Sequence, residues 1–231
     1  MHTHCEYDPV ARYLDRVAES PMWRSVIFTR HHDDLHFYGL ANGDRYRTHY
    51  EIGAQKCLEQ TADFLETESI KGICHAECID KQKSELLREY RQALHTLERE
   101  YDLPADEFSS RLVALLLDGK AGEFAAVNLG DGFILGMSSK GIASLVSLPE
   151  IPVFSRCTRT TASANAPDHI RFSFGSLDEY ARLFIGTSGI SGLIKSGRLQ
   201  RILRGSSSEE ALQRIRNCIV PDDTGCIIID F

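Results

Sequence analysis

An aspartate flanked by two glycines, Asp131 in the run LVALLLDGKAGEFAAVNLGDGFILG, is the residue best placed to do chemistry. A carboxylate where the backbone bends either bonds its own turn or offers hard oxygen donors to a divalent cation. Other candidates are weaker. CHAEC (Cys74, His75, Cys78) and HTHC (His2, His4, Cys5) hold soft ligands, yet neither has the Cys-x2-Cys spacing with a distant second half that zinc sites use, so helix thiols and a chain terminus are the preferred reading. Ser188, between Thr187 and Gly189, lacks the Gly-x-Ser-x-Gly setting of a hydrolase nucleophile. GSSS at 205–208 lacks the lysine of a phosphate loop and reads as a helix cap. Arg45 and Arg47, in DRYR, could hold phosphate through their planar forks without a metal; solvated loop arginines are the plain alternative.

The elements that must position these residues follow from hydrophobic period. DPVARYLDRVAE (8–19) starts with Asp-Pro and places apolar residues at helical spacing, which predicts a short amphipathic helix. SVIFTR and LHFYGLA are β-rich runs separated by HHDD, predicting a hairpin or two adjacent strands. Two long helices follow: one carries Ile52, Ala54, Cys57, Leu58, Ala62, Phe64 and Leu65 on a stripe, the other Leu86, Leu87, Tyr90, Leu94 and Leu97. These should pack together. The period then drops to two, and SSRLVALLLD, GEFAAVNLGDGFILGMSS and GIASLVSL predict an antiparallel meander. IRFSFG and ARLFIGTSG add strands, SSSEEALQRIRNCIV a capped helix, and GCIIIDF a last strand.

This order predicts an α+β class: a layered α-β-β-α sandwich of two mainly antiparallel sheets flanked by helices. The expected division is an N-terminal helical extension over 1–24 and one domain over 25–231, a length that buries a substantial core. A formal charge of -7 and the lack of a basic stripe argue against nucleic acid. Seven cysteines, an odd number, scattered through apolar segments suggest reduced thiols in a cytoplasmic protein. No run approaches the length of a membrane span, so no membrane partner is expected.

Four segments in order resemble the metal-dependent type 2C protein phosphatases, in their compact bacterial branch. GLANGDRYRTHYEIGAQKCLEQ is similar to that family's Ala-Asp-Gly turn and the helix after it. The central hairpin ending in Gly-Asp-Gly matches at Asp131, LFIGTSGISGL aligns with a Thr-Asp-Gly turn, and PDDTGCIIIDF with a closing acidic pair and last strand. The likeness spans residues 25–231.

That resemblance implies a pair of magnesium or manganese ions held by carboxylates and a backbone carbonyl, with a water between them attacking a phosphoserine or phosphothreonine. Carried onto this chain, the ligand positions are Asn42 and Gly43, Asp131, Ser188, Asp222 and Asp223, with Asp33 and Asp34 as the acidic pair ahead of the Ala-Asp-Gly strand. The Asp131 equivalent is not part of the central pair. Asn42 and Ser188 stand where the family has aspartates. Two negative charges are thereby lost from a site meant for two dications, so the centre is expected to be weak or absent. Two readings follow: an impaired phosphatase-like domain that binds a protein partner such as a kinase or phosphoprotein in signalling, with no cofactor, or an active phosphatase with an altered ligand set. For the second, Asp44 or the imidazoles of His31, His32 and His36 would supply the missing donors.

Overall fold

The computed structural model describes residues 9–14, 25–43, 49–73, 78–149, 160–163, 166–218 and 225–231. Among the described residues, ten strands form two five-stranded sheets, every pair antiparallel. The first sheet has the order β1 (Val10–Leu14), β10 (Cys226–Asp230), β9 (Arg182–Gly186), β6 (Phe133–Met137), β7 (Ala143–Ser147). The second runs β2 (Val26–His32), β3 (Leu35–Gly43), β4 (Ser110–Asp118), β5 (Glu123–Leu129), β8 (Arg171–Ser176). Helices α1 (Tyr50–Ile73) and α2 (Ile79–Tyr101) cover the outer face of the second sheet; α3 (Ser191–Lys195), α4 (Arg198–Arg204) and α5 (Ser208–Cys218) cover that of the first. The layering is the α-β-β-α sandwich expected from the sequence.

Alternation along the strands builds the layers, because successive side chains point to opposite faces. On β3 and β4, Phe37, Ala41, Leu112, Ala114 and Leu116 pack under α1 and α2, while Tyr38, Leu40, Val113, Leu115 and Leu117 fill the space between the sheets. The α2 residues expected on one stripe, Leu86, Leu87, Tyr90, Leu94 and Leu97, are all buried against α1. A hydrogen bond of 2.7 Å between Tyr90 Oη and Thr61 Oγ1 satisfies the polar tip of that contact.

Three expectations are corrected. Val10–Leu14 is a strand, not part of a helix over 8–19: it pairs with β10 from Val10↔Asp230 to Leu14↔Cys226, and this pairing outweighs the local helical spacing. The described part of the N-terminal segment therefore belongs to the sandwich. Next, β4–β7 are not one meander. The chain changes sheets at Gly130-Asp131-Gly132, with β5 in one layer and β6 in the other. Finally, the segment after β9 contains two short helices, α3 and α4, where the sequence predicts only a turn.

The Ser cap is found at Ser207, whose Oγ accepts from the Glu210 N–H at 3.3 Å while the Glu210 carboxylate accepts from the Ser207 N–H at 3.3 Å. This reciprocal box satisfies two N–H groups that an α-helix leaves open. Ser207→Ala should cost about 1 kcal/mol, read as a melting temperature lower by ~2–4 °C.

Candidate functional site

Asn42 is next to last on β3, follows Tyr38 and Leu40 at period two, and so faces the other sheet; it is 3 % exposed. Its register partner on β4 is Arg111, which precedes Val113 and Leu115 on the same face. Asp131 reaches this corner from the sheet-to-sheet crossing. That crossing needs its first glycine, since Gly130 has φ +113°, a conformation that side chains with a Cβ rarely adopt. Buried Asn128 holds it from behind, its amide N–H groups donating to Gly132 O at 2.7 Å and Leu148 O at 3.0 Å.

Arg111 joins the pieces. Its Nη1 donates to Asp131 Oδ2 at 2.6 Å and its Nη2 to Gly43 O at 3.1 Å, with the two side chains only 15 % and 17 % exposed. From the first sheet comes Thr187, which donates its N–H to Gly225 O at 3.2 Å and accepts from Gly225 N–H through Oγ1 at 3.1 Å. This ties the end of β9 to the start of β10. Leu40, Asn42, Arg111, Asp131, Gly132 and Thr187 enclose a cavity of about 10 Å³. Space for a single water is about 10–15 Å³.

The sequence-derived candidates divide sharply. Asn42, Gly43 and Asp131 meet at this corner. Ser188 adjoins Thr187 in the turn Ser188–Ile190 and is half-buried. Asp33 and Asp34 do not belong here. They form the exposed tip of the β2–β3 hairpin, Asp33 with φ 51°, and the eight-residue climb from Asp34 to Asn42 along β3 spans roughly 26 Å. In register, the strand neighbour of Asn42 is reached from Val26, which pairs with Ala41, and not from the tip. His31, His32 and His36 share the tip, where His31 Nδ1 lies 2.9 Å from His36 Nδ1, so their imidazoles are remote from the cleft. Asp44, Arg45, Arg47, Asp222 and Asp223 lie outside the described residues, as do His2, His4, Cys5, Cys74 and His75; Cys78 is exposed. Arg111 and Thr187 escaped the sequence reading. A lone arginine in the apolar run SRLVALLLD, in phase with Val113 and Leu115, was the signal available.

With this geometry in hand, the comparisons decide the family. The family model described as Protein phosphatase 2C matches residues 29–219. The chain belongs to the protein phosphatase 2C family. No curated protein matches it in sequence. Solved phosphatase 2C structures share its fold. Serine/threonine phosphatase Stp1 from Staphylococcus aureus has a TM-score of 0.68 at 11 % identity, over 100 % of this chain and 97 % of that one. The catalytic domain of PstP in complex with two manganese ions has 0.66 at 15 %, over 96 % and 99 %. RsbX in complex with magnesium has 0.59 at 11 %, over 96 % and 94 %.

Among the described residues of this phosphatase 2C chain, the oxygen donors at the corner are already engaged. The Gly43 carbonyl and the Asp131 carboxylate both accept hydrogen bonds from a guanidinium. Asn42 and Ser188 bring no charge, and among the described residues no group of three or more His, Cys, Asp or Glu side chains converges on one point. Also among the described residues, no helix is long and apolar enough to cross a membrane.

Proposed function

We propose that this phosphatase 2C chain does not hydrolyse phosphoesters and acts in signalling by binding a protein partner, a kinase or a phosphoprotein. The observation that carries this reading is the neutral amide of Asn42, buried at the corner where a phosphatase 2C enzyme would present an anion to metal. Ser188 removes a second negative charge from the same set of positions. Hydrolysis by this family's route depends on a water made nucleophilic between two dications. Replacing two anionic ligands costs at least the 10–100-fold in affinity that disturbing a supporting group costs. Arg45 and Arg47 lie two and four residues after Gly43 in sequence and are the groups assigned to a phosphorylated partner, by paired N–H donation to phosphate oxygens.

The test is turnover of p-nitrophenyl phosphate and of a phosphoserine peptide with manganese or magnesium present. The expected result is a rate indistinguishable from that of the protein pretreated with chelator. Manganese-stimulated hydrolysis abolished by Asp222→Ala would overturn the reading in favour of an active enzyme with an altered ligand set.

A further inference from the structure

We propose that Arg111 is the resident cation of this cleft: its guanidinium does the bridging that divalent ions do in metal-holding relatives, so the corner closes without any metal. The inference rests on the reading above and adds the group that has taken over the ions' place. Three observations support it. Arg111 is the register partner of Asn42, on the face that looks across to the other sheet. Its two terminal nitrogens reach in different directions, one to a backbone carbonyl on β3 and one to a carboxylate on the crossing between sheets. A planar fork makes such a two-way bridge; a lysine ammonium, as a point charge, does so less well. The space left beside it is about 10 Å³.

Charge follows the same logic. A dication needs several anions around it, whereas the Arg111 guanidinium carries a single positive charge and pairs with the Asp131 carboxylate, to which the neutral amide of Asn42 adds no charge. A guanidinium attached to the chain cannot be removed by a chelator.

This assignment predicts that restoring the missing carboxylates is not enough. Asn42→Asp with Ser188→Asp should gain little manganese affinity by calorimetry, because Arg111 still engages Gly43 and Asp131. Adding Arg111→Met to that pair should raise manganese affinity at least about tenfold over the double variant. In the otherwise wild-type chain, Arg111→Met should lower the melting temperature by about 4–8 °C, whereas Arg88→Met, at an exposed arginine, should move it by less than about 1 °C. Arg111→Lys, which keeps the charge but not the fork, should fall between wild type and Arg111→Met, and it stands in if the methionine variant fails to fold. Wild-type protein stripped with EDTA should melt at the same temperature with and without about 1 mM manganese.

Saturable manganese binding by the wild type, or equal affinity in the double and triple variants, overturns the resident-cation assignment. Either result leaves the turnover assay free to stand or fall separately. If wild type shows no turnover and the triple variant gains no metal, the binding reading survives and this inference does not.

Discussion

Gly53→Ala should destabilise the domain severely, although glycine-to-alanine in a helix ordinarily helps. Gly53 lies in the first turn of α1, and a Cβ built there falls 1.8 Å from the Phe108 carbonyl oxygen and 2.6 Å from the carbonyl carbon. Those atoms belong to the short 3-10 turn Ala105–Phe108 that packs against α1 and α2 and leads into β4. They are backbone, so no rotamer change relieves the overlap; the helix or the turn must move. Helix propensity favours alanine by about 0.8–1 kcal/mol, while overpacking a close contact costs about 1–3 kcal/mol and more where backbone is displaced. The overlap wins. A net loss near 2 kcal/mol or larger appears as a melting temperature at least about 4 °C lower. Gly192→Ala in α3 is the control, because a Cβ there meets nothing within 4 Å and the change should be neutral or mildly stabilising. A Gly53 variant as stable as the Gly192 variant would show that α1 does not sit on the turn as described. The result also bears on the cleft, since β4 emerges from this turn with Arg111 as its second residue.

Stability should also collapse on the alkaline side, and two buried thiols set the window. Cys57, on the buried face of α1, has no exposed surface, and burial pushes its thiol from 9.0 to about 12. Cys226, on β10, flanked in its sheet by β1 and β9, is pushed up by burial as well, and Tyr90 is raised for the same reason. Each group is neutral when protonated, and burial penalises its ionised form. An unfolded chain releases the thiol protons from about pH 9, whereas the folded chain holds the Cys57 proton to about 12. Stability is therefore full below pH 9 and declines as pH rises from 9 towards 12. Three pH units at about 1.36 kcal/mol each amount to roughly 4 kcal/mol for Cys57 alone. Denaturant midpoints measured from pH 7 to 11 should be level to about pH 9 and then fall. Cys57→Ala should reduce the slope by one proton's share, about 1.4 kcal/mol per pH unit. A curve level to pH 11 would mean that water reaches these thiols. At pH 8 the same burial should keep Cys57 and Cys226 unreactive towards a thiol reagent that labels the exposed Cys78 and Cys218.

Much of the fold can be read from residue spacing, and the failures share one cause. Leu86, Tyr90, Leu94 and Leu97 mark α2 because a helix face is defined by neighbours three and four positions away. The Ser207–Glu210 box is likewise local. Val10, Tyr13 and Leu14 have spacing that suits a helix, but β10, some two hundred residues later, offers a strand edge, and only the assembled sheet shows that the edge wins. Asp33 and Asp34 looked like metal ligands by their order in the chain; the hairpin register carries them to the end of β3 away from Asn42. Arg111 is the instructive omission. Its partners, Gly43 and Asp131, lie on either side of it in sequence at long range, and a strand arginine becomes functional only once cross-strand register and the change of sheet at Asp131 bring the three together. Asn42 and Ser188 were legible as a loss; the group occupying the space was not.

The position of β10 between β1 and β9 has a consequence for biosynthesis. The second sheet and its helix pair draw on residues up to Ser176, so they can assemble while the ribosome is still at work. β6, β7 and β9 cannot complete their layer until β10 emerges, and β1 must wait for a mate made some two hundred residues later. Loop closure over such a distance is slow, and in the interval the apolar faces of the unfinished layer stand open to aggregation, which makes the nascent half-domain a client for chaperones.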